Sequence, residues 1–230
     1  TDFTEPPVVQ KKIIKLCNKE CKPVITATQM LESMTHQPLP TRAEVSDVAN
    51  AIYDRTGCIM LSGETAMGDY PLECVNTMVK VAKSVEPTIN YWKRFTKKDW
   101  KIEEADIESH AAYTTCVTAR DIKADAIIDY THTGNSARRL AGYGPACPIF
   151  AITDSEKVYN QLGPVWNVYP ILVKDGADID DTIEKGVEKL IELGNLEEGD
   201  TAVLCGGPQI MSKEKSKYAV NKTVGGILKI

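Results

Sequence analysis

Pro23-Val24-Ile25-Thr26-Ala27, the helical stretch Thr41 to Tyr53, and Cys58-Ile59-Met60-Leu61-Ser62 decide the fold. Two short, nearly continuous apolar runs flank a segment that opens on Thr41 with Glu44 three residues on, the pattern of a capping box. Apolar strands of this kind separated by helices are buried on both faces, which predicts parallel pairing. The rhythm extends both ways. Val8 to Lys19 reads as an amphipathic helix with Val9, Ile13, Leu16 and Cys17 near one face. Pro71 to Val85 reads as another, with Pro71 tolerated in its first turn.

From Tyr91 to Glu104 the pattern fails. Trp92, Lys93, Arg94, Lys97, Lys98, Asp99 and Trp100 form a charged, aromatic stretch of weak periodicity, read as a junction. Beyond it the sequence predicts a helix over 106–121, strand 126–130, a helix over 136–143, strand 148–153, a helix over 155–162, strand 168–173, a helix over 180–193, strand 201–205 and a terminal strand over 223–230. This second unit reads as an open α/β sheet.

Composition narrows the function. The 230 residues carry a net charge of −5, a poor match to nucleic acid or anionic membrane. No apolar run approaches the roughly 20 residues that span a bilayer. The acidic, Pro-rich start without Met lacks the shape of a signal peptide and predicts that the chain begins inside a longer product. Seven cysteines include Cys17 and Cys21, four apart on a predicted helix, with no second pair at metal-ligand spacing. They read as reduced structural thiols, Cys58 and Cys205 as small hydrophobes in strands. His36, His110 and His132 share no spacing that predicts a metal.

Three places carry chemistry. Thr28, just past the first strand, offers a hydroxyl; taken alone it reads first as a cap of the following turn. Ser62-Gly63-Glu64-Thr65, past the second strand, gathers a carboxylate and two hydroxyls, suited to a cation or a proton relay and equally to an N-cap cluster. Thr131-His132-Thr133-Gly134-Asn135-Ser136 follows strand 126–130 and opens a helix bearing Arg138 and Arg139. It reads as an anion cradle or as an ordinary Ser/Thr-capped helix.

Three blocks also carry a family resemblance. They are Lys22-Pro23-Val24-Ile25-Thr26-Ala27-Thr28-Gln29-Met30-Leu31-Glu32-Ser33-Met34, then Pro40-Thr41-Arg42-Ala43-Glu44-Val45-Ser46-Asp47-Val48-Ala49-Asn50-Ala51, then Ile59-Met60-Leu61-Ser62-Gly63-Glu64-Thr65-Ala66 with Gly68-Asp69-Tyr70-Pro71. In order and spacing they resemble pyruvate kinase, and the likeness continues more weakly to the C-terminus. The resemblance implies the last two β/α units of a TIM barrel over residues 1–97, followed by a mostly parallel α/β effector domain over 98–230. It implies phosphoryl transfer from phosphoenolpyruvate to ADP in glycolysis, with magnesium and potassium, in a cytoplasmic homotetramer.

Within that resemblance Thr28 faces the reacting groups, and Ser62 and Glu64 belong to the proton-relay side. Arg42 and Glu44 belong to the contact between subunits. Thr131, Thr133, Gly134, Asn135 and Ser136 hold a sugar-phosphate effector, typically fructose 1,6-bisphosphate. The family's catalytic lysine and its metal ligands fall upstream, so this stretch alone is expected to be inactive. The alternative is a non-catalytic module that binds sugar phosphates or nucleotides. The loop from Gly206 to Tyr218, with Lys213, Lys215 and Lys217, departs from the Gly-rich loop of activated members. Trp166 is expected to pack in the core. With two barrel strands only, the first unit is expected to leave an open edge and an uncovered apolar face.

Overall fold

The computed structural model describes residues 4–98, 100–103, 106–206, 219–221 and 227–230. It divides into two compact units, Thr1–Asn90 and Tyr91–Ile230. The Lys213, Lys215 and Lys217 loop lies outside the described residues.

The first unit opens with α1 (Pro6–Lys19), whose two prolines occupy its first turn, where the missing N–H is harmless. β1 (Ile25–Ala27) follows, then a 3-10 turn over Glu32–Thr35 and α2 (Arg42–Tyr53). β2 (Cys58–Met60), the short α3 (Gly63–Ala66) and α4 (Pro71–Val85) complete it. β1 and β2 pair in parallel, with Ile25 opposite Cys58 and Ala27 opposite Met60. The buried Thr26 hydroxyl donates to that of Thr56 over 2.8 Å, tying the strand to the turn that precedes its neighbour.

The predicted capping box is present: Glu44 N–H donates to the Thr41 hydroxyl, and Thr41 N–H donates to the Glu44 carboxylate. The α1 stripe behaves otherwise. Ile14 is its buried residue, while Val9, Ile13 and Leu16 stay 42%, 48% and 59% exposed. The polar contacts of α1 go instead to the end of α2, Lys11 to Asp54 and Asn18 to the Arg55 carbonyl. Cys21 lies past the end of α1 in a left-handed conformation, so Cys17 and Cys21 do not share a helix.

The second unit begins with α5 (Tyr91–Lys97) and α6 (Ile107–Asp121). β3 (Ala126–Tyr130), α7 (Asn135–Tyr143), β4 (Ile149–Thr153), α8 (Glu156–Leu162), β5 (Val168–Leu172), α9 (Ile179–Glu192) and β6 (Thr201–Cys205) alternate. β7 (Ala219–Asn221) and β8 (Ile227–Lys229) end the chain's described strands. The sheet order is β5-β4-β3-β6-β8-β7. β3, β4, β5 and β6 run parallel, and β8 is antiparallel to both β6 and β7.

Alternation along the strands divides the core. Ile127, Ile149 and Val203 face a layer containing Ala112, Cys116, Leu140 and Leu162. Ile128, Phe150 and Leu204 face Ile183, Val187 and Leu190 of α9. Within the stretch 91–104, read as a junction, Tyr91–Lys97 forms α5, and Trp92, Phe95, Trp100 and Ile102 join the first layer. Phe95 is 2% exposed, with its ring centroid 5.7 Å from Trp100 and 5.5 Å from Tyr113. Seven residues span too few turns to show a helical period. Trp166 is half-buried and stands 5.0 Å from the ring of Tyr91. No described helix is long and apolar enough to cross a membrane.

Candidate functional site

The first group lies where β1 and β2 run out into loops. Thr28 and Gln29 both hold positive φ, at 69° and 55°. For a β-branched residue this is a strained conformation, costing on the order of 1–3 kcal/mol. The Thr28 hydroxyl is exposed and donates back to the Ala27 carbonyl over 2.7 Å. It caps no following N–H, and the next 3-10 turn has no side-chain cap. Ser62 stands at the N-cap of α3, again without a side-chain cap bond.

Glu64 joins the two loops. Its side chain is fully buried. Oε1 accepts the Leu31 N–H at 3.1 Å and Oε2 the Ser62 N–H at 2.8 Å. Burial alone raises its pKa, but the main-chain N–H groups of Glu64, Ser62 and Leu31 outweigh that and hold the carboxyl below its ordinary value. The geometry is that of an ionised carboxylate clamping two backbones. Gly68 is needed beside it, since a Cβ there would stand 2.4 Å from the Glu64 carbonyl oxygen.

Of the two residues expected at a subunit contact, Arg42 is exposed. Glu44 is bound within the chain. Its Oε1 accepts the Ser33 N–H at 2.7 Å, and its Oε2 accepts the Ser33 hydroxyl at 2.6 Å and the Thr41 N–H at 2.7 Å. Burial opposes ionisation, yet the bonds from Ser33 and Thr41 together lower its pKa. Among the described residues no three His, Cys, Asp or Glu side chains converge as a ligand group. With both Glu64 oxygens taken up by N–H donors, the residues at these loops do not fit a magnesium or potassium centre.

The second group sits at the carboxyl end of β3. Strand order reverses there: β4 and β5 lie to one side, β6 and β8 to the other. Such a switch point leaves a crevice at the strand ends where ligands bind. Gly134 is the N-cap of α7 at φ 81°, without a side-chain cap bond, so the ordinary Ser/Thr cap is not what forms. Thr131 is 4% exposed and its hydroxyl accepts the Gly134 N–H at 2.9 Å. Ser136 Oγ stands 3.0 Å from Thr131 Oγ1 and 2.8 Å from Oδ2 of Asp129. The Asn135 N–H points at the Thr133 hydroxyl, 3.4 Å away.

The basic side chains of the loop each have their own partner. Arg138 donates to the Thr133 carbonyl at 3.2 Å, bracing the loop from below. Arg139 turns to α6 and pairs with Asp106 at 3.0 Å and Glu108 at 3.1 Å. His132 pairs with Asp154 at 3.0 Å. Sequence reasoning passed over Asp129; its signal was a carboxylate inside the otherwise apolar run Ala126–Tyr130. The partners of Glu64, the main-chain N–H groups of Leu31 and Ser62, had no sequence signal.

A parallel β/α pair with a strained Thr and a clamping Glu at its carboxyl edge, followed by an open sheet with a hydroxyl-rich loop at its switch point, defines an α/β protein of two compact units. Comparison with known proteins makes the class specific. Residues 2–75 match the pyruvate kinase barrel domain and residues 109–218 the pyruvate kinase alpha/beta domain. Pyruvate kinase of Clostridium acetobutylicum is 46% identical over 201 residues, covering 87% of this chain and 42% of that protein. That of Sporosarcina psychrophila is 44% identical over 228 residues, covering 97% of this chain and 38% of that one. A crystal structure of pyruvate kinase from Cryptosporidium parvum superposes with a TM-score of 0.84 at 34% identity, covering 91% of this chain and 42% of that one. The chain belongs to the pyruvate kinase family, and it spans about two fifths of the length of these relatives.

Proposed function

We propose that this chain supplies one wall of an active site that transfers a phosphoryl group from phosphoenolpyruvate to ADP, the pyruvate-forming step of glycolysis, in a cytoplasmic enzyme. The observation that carries the reading is the strained Thr28–Gln29 pair at the carboxyl end of β1, locked to the next loop through Glu64. Strain of this kind persists where the surroundings over-determine it, and it clusters at catalytic positions. Thr28 presents its hydroxyl to the reacting groups. Ser62 lies on the proton-relay side, and Glu64 fixes the loop that carries Ser62.

Magnesium and potassium belong to the whole enzyme and are held by residues outside this stretch. Phosphoryl transfer depends on positioning and on charge neutralisation by cations, so these 230 residues alone are inactive. A coupled lactate dehydrogenase assay on the repurified chain is expected to show no turnover; activity that survives repurification refutes this. The exposed Arg42 contributes to contacts between subunits of a homotetramer.

The second unit binds an effector phosphate at Thr131, Thr133, Gly134, Asn135 and Ser136. What supports this is the switch-point position of the loop and the open N-terminus of α7, with its positive dipole end. Because these groups all lie in one unit, a regulatory module that binds sugar phosphates or nucleotides without catalysis is the second reading. Thermal unfolding with fructose 1,6-bisphosphate and nucleoside monophosphates tests the loop. Ligand at 100 times its dissociation constant adds about 2.7 kcal/mol. No shift with any phosphorylated ligand removes the effector reading.

A further inference from the structure

Asp129 lies on the central strand β3 and is fully buried. Its Oδ2 meets the Ser136 hydroxyl at 2.8 Å, whereas its Oδ1 has no hydrogen-bond partner. The flanking position on β4 is Ala151, which is apolar. From β6 the Cys205 thiol faces the carboxyl, with the Thr115 hydroxyl of α6 behind it. Among the described residues no cation stands against the carboxyl. The loop's basic side chains are engaged elsewhere: the His132 ring with Asp154, Arg138 with the Thr133 carbonyl, Arg139 with Asp106 and Glu108.

We propose that Asp129 takes up a proton when an oxyanion such as a phosphate ester binds the Thr131–Ser136 loop, which makes binding at that loop proton-coupled. The inference rests on the reading of this loop as a phosphate site. Each hydroxyl has one hydrogen to give. With Asp129 ionised, the single Ser136 hydrogen is drawn to Oδ2 rather than to Thr131, and Thr131 accepts the Gly134 N–H. The Ser136 hydrogen then points inward and does not serve an anion.

A proton on Oδ2 reverses the chain. Asp129 then donates to Ser136. The Ser136 hydrogen is thereby released from Oδ2 and can turn to Thr131 or to an anion at the loop. A second negative charge at the loop favours the same state, because like charges disfavour ionisation. Burial, opposed by the Ser136 and Cys205 contacts, already raises the Asp129 pKa to about 7, so the proton is exchanged near neutrality. By linkage, whatever favours the protonated carboxyl favours the anion, and the reverse.

The test is calorimetric titration of the full chain with sulfate, a dianion that takes no proton near neutral pH, in buffers of different ionisation enthalpy. At pH 7.5 to 8.5 the wild type is expected to take up as much as one proton per sulfate and to lose affinity by up to about tenfold per pH unit. Asp129→Asn, which carries no titrating proton, is expected to show no uptake and a flat profile. If that variant does not fold, Ser136→Ala, which cuts the relay, is expected to reduce the uptake. Binding without uptake in the wild type, or equal uptake in the variant, overturns the proposal while leaving the loop as an anion site. Absence of binding by sulfate, inorganic phosphate and sugar phosphates alike overturns the loop reading and the proposal with it.

Discussion

The main-chain N–H of Leu31 donates to Oε1 of Glu64 over 3.1 Å, and through that bond the loop after β1 is held to the loop after β2. Strand pairing covers three residues on each side, so this clamp carries much of the alignment between the two loops. Glu64→Gln replaces one acceptor by an amide that faces an N–H donor. The expected loss is about 1–3 kcal/mol, read by urea unfolding of the full chain. Because the Glu64 pKa is lowered on folding, its contribution is present above the ordinary carboxylate range and fades as pH falls through the depressed value. Wild type and variant should therefore converge in acid.

Glu44 serves two elements at once, the first turn of α2 and Ser33 in the 3-10 turn. Thr41→Ala removes only the cap and is expected to cost about 1 kcal/mol. Glu44→Ala removes the cap and the Ser33 bonds, and should cost more. Equal losses for the two would show that the Ser33 contact carries nothing.

Asp129 has the opposite sign from Glu64. The unfolded carboxyl ionises near 3.8 while the folded one keeps its proton to about 7. Between these values the folded state binds more protons, so its stability falls as pH rises, by about 1.4 kcal/mol per unit at most. Asp129→Asn is expected to gain on the wild type from pH 4 to pH 7 and hold that advantage above. Parallel stability curves would contradict this.

Two glycines are predicted to resist substitution for different reasons. At Gly134 the φ of 81° strains any L side chain, and a Cβ would stand 3.1 Å from the Arg138 guanidinium and 3.2 Å from Leu162. Gly134→Ala should cost on the order of 1–2 kcal/mol and weaken phosphate binding. At Gly186 the backbone is ordinary helix, but a Cβ would stand 2.4 Å from Ile152. Gly186→Ala should cost about 1–3 kcal/mol by overpacking and leave phosphate binding untouched.

Period and caps made most elements legible. α4 runs over Pro71–Val85 and β6 over Thr201–Cys205, as their apolar patterns required. α5 was hidden by its shortness, and the burial of its Phe95 depends on the rings of Trp92, Trp100 and Tyr113 that the fold gathers around it. β7 was not anticipated, since three residues of Ala219–Asn221 give no alternation to read. At the site, residue types marked Thr28, Ser62 and the Thr131–Ser136 loop, but not their states. A β-branched residue is the last expected at positive φ, and nothing local foretells the left-handed Thr28. Asp129 was concealed by apolar neighbours, because its meaning depends on what the sheet and α7 bring against it.

The seven cysteines provide a built-in stopwatch. Cys116, Cys147 and Cys205 are all buried in the second unit, while the first holds one buried thiol, Cys74, and three half-buried ones. Burial pushes Cys147 and Cys205 to about 12, so both stay unreactive until their surroundings open. Pulsed alkylation followed by peptide mass analysis can therefore time the opening of each half separately, with no label introduced and no residue changed.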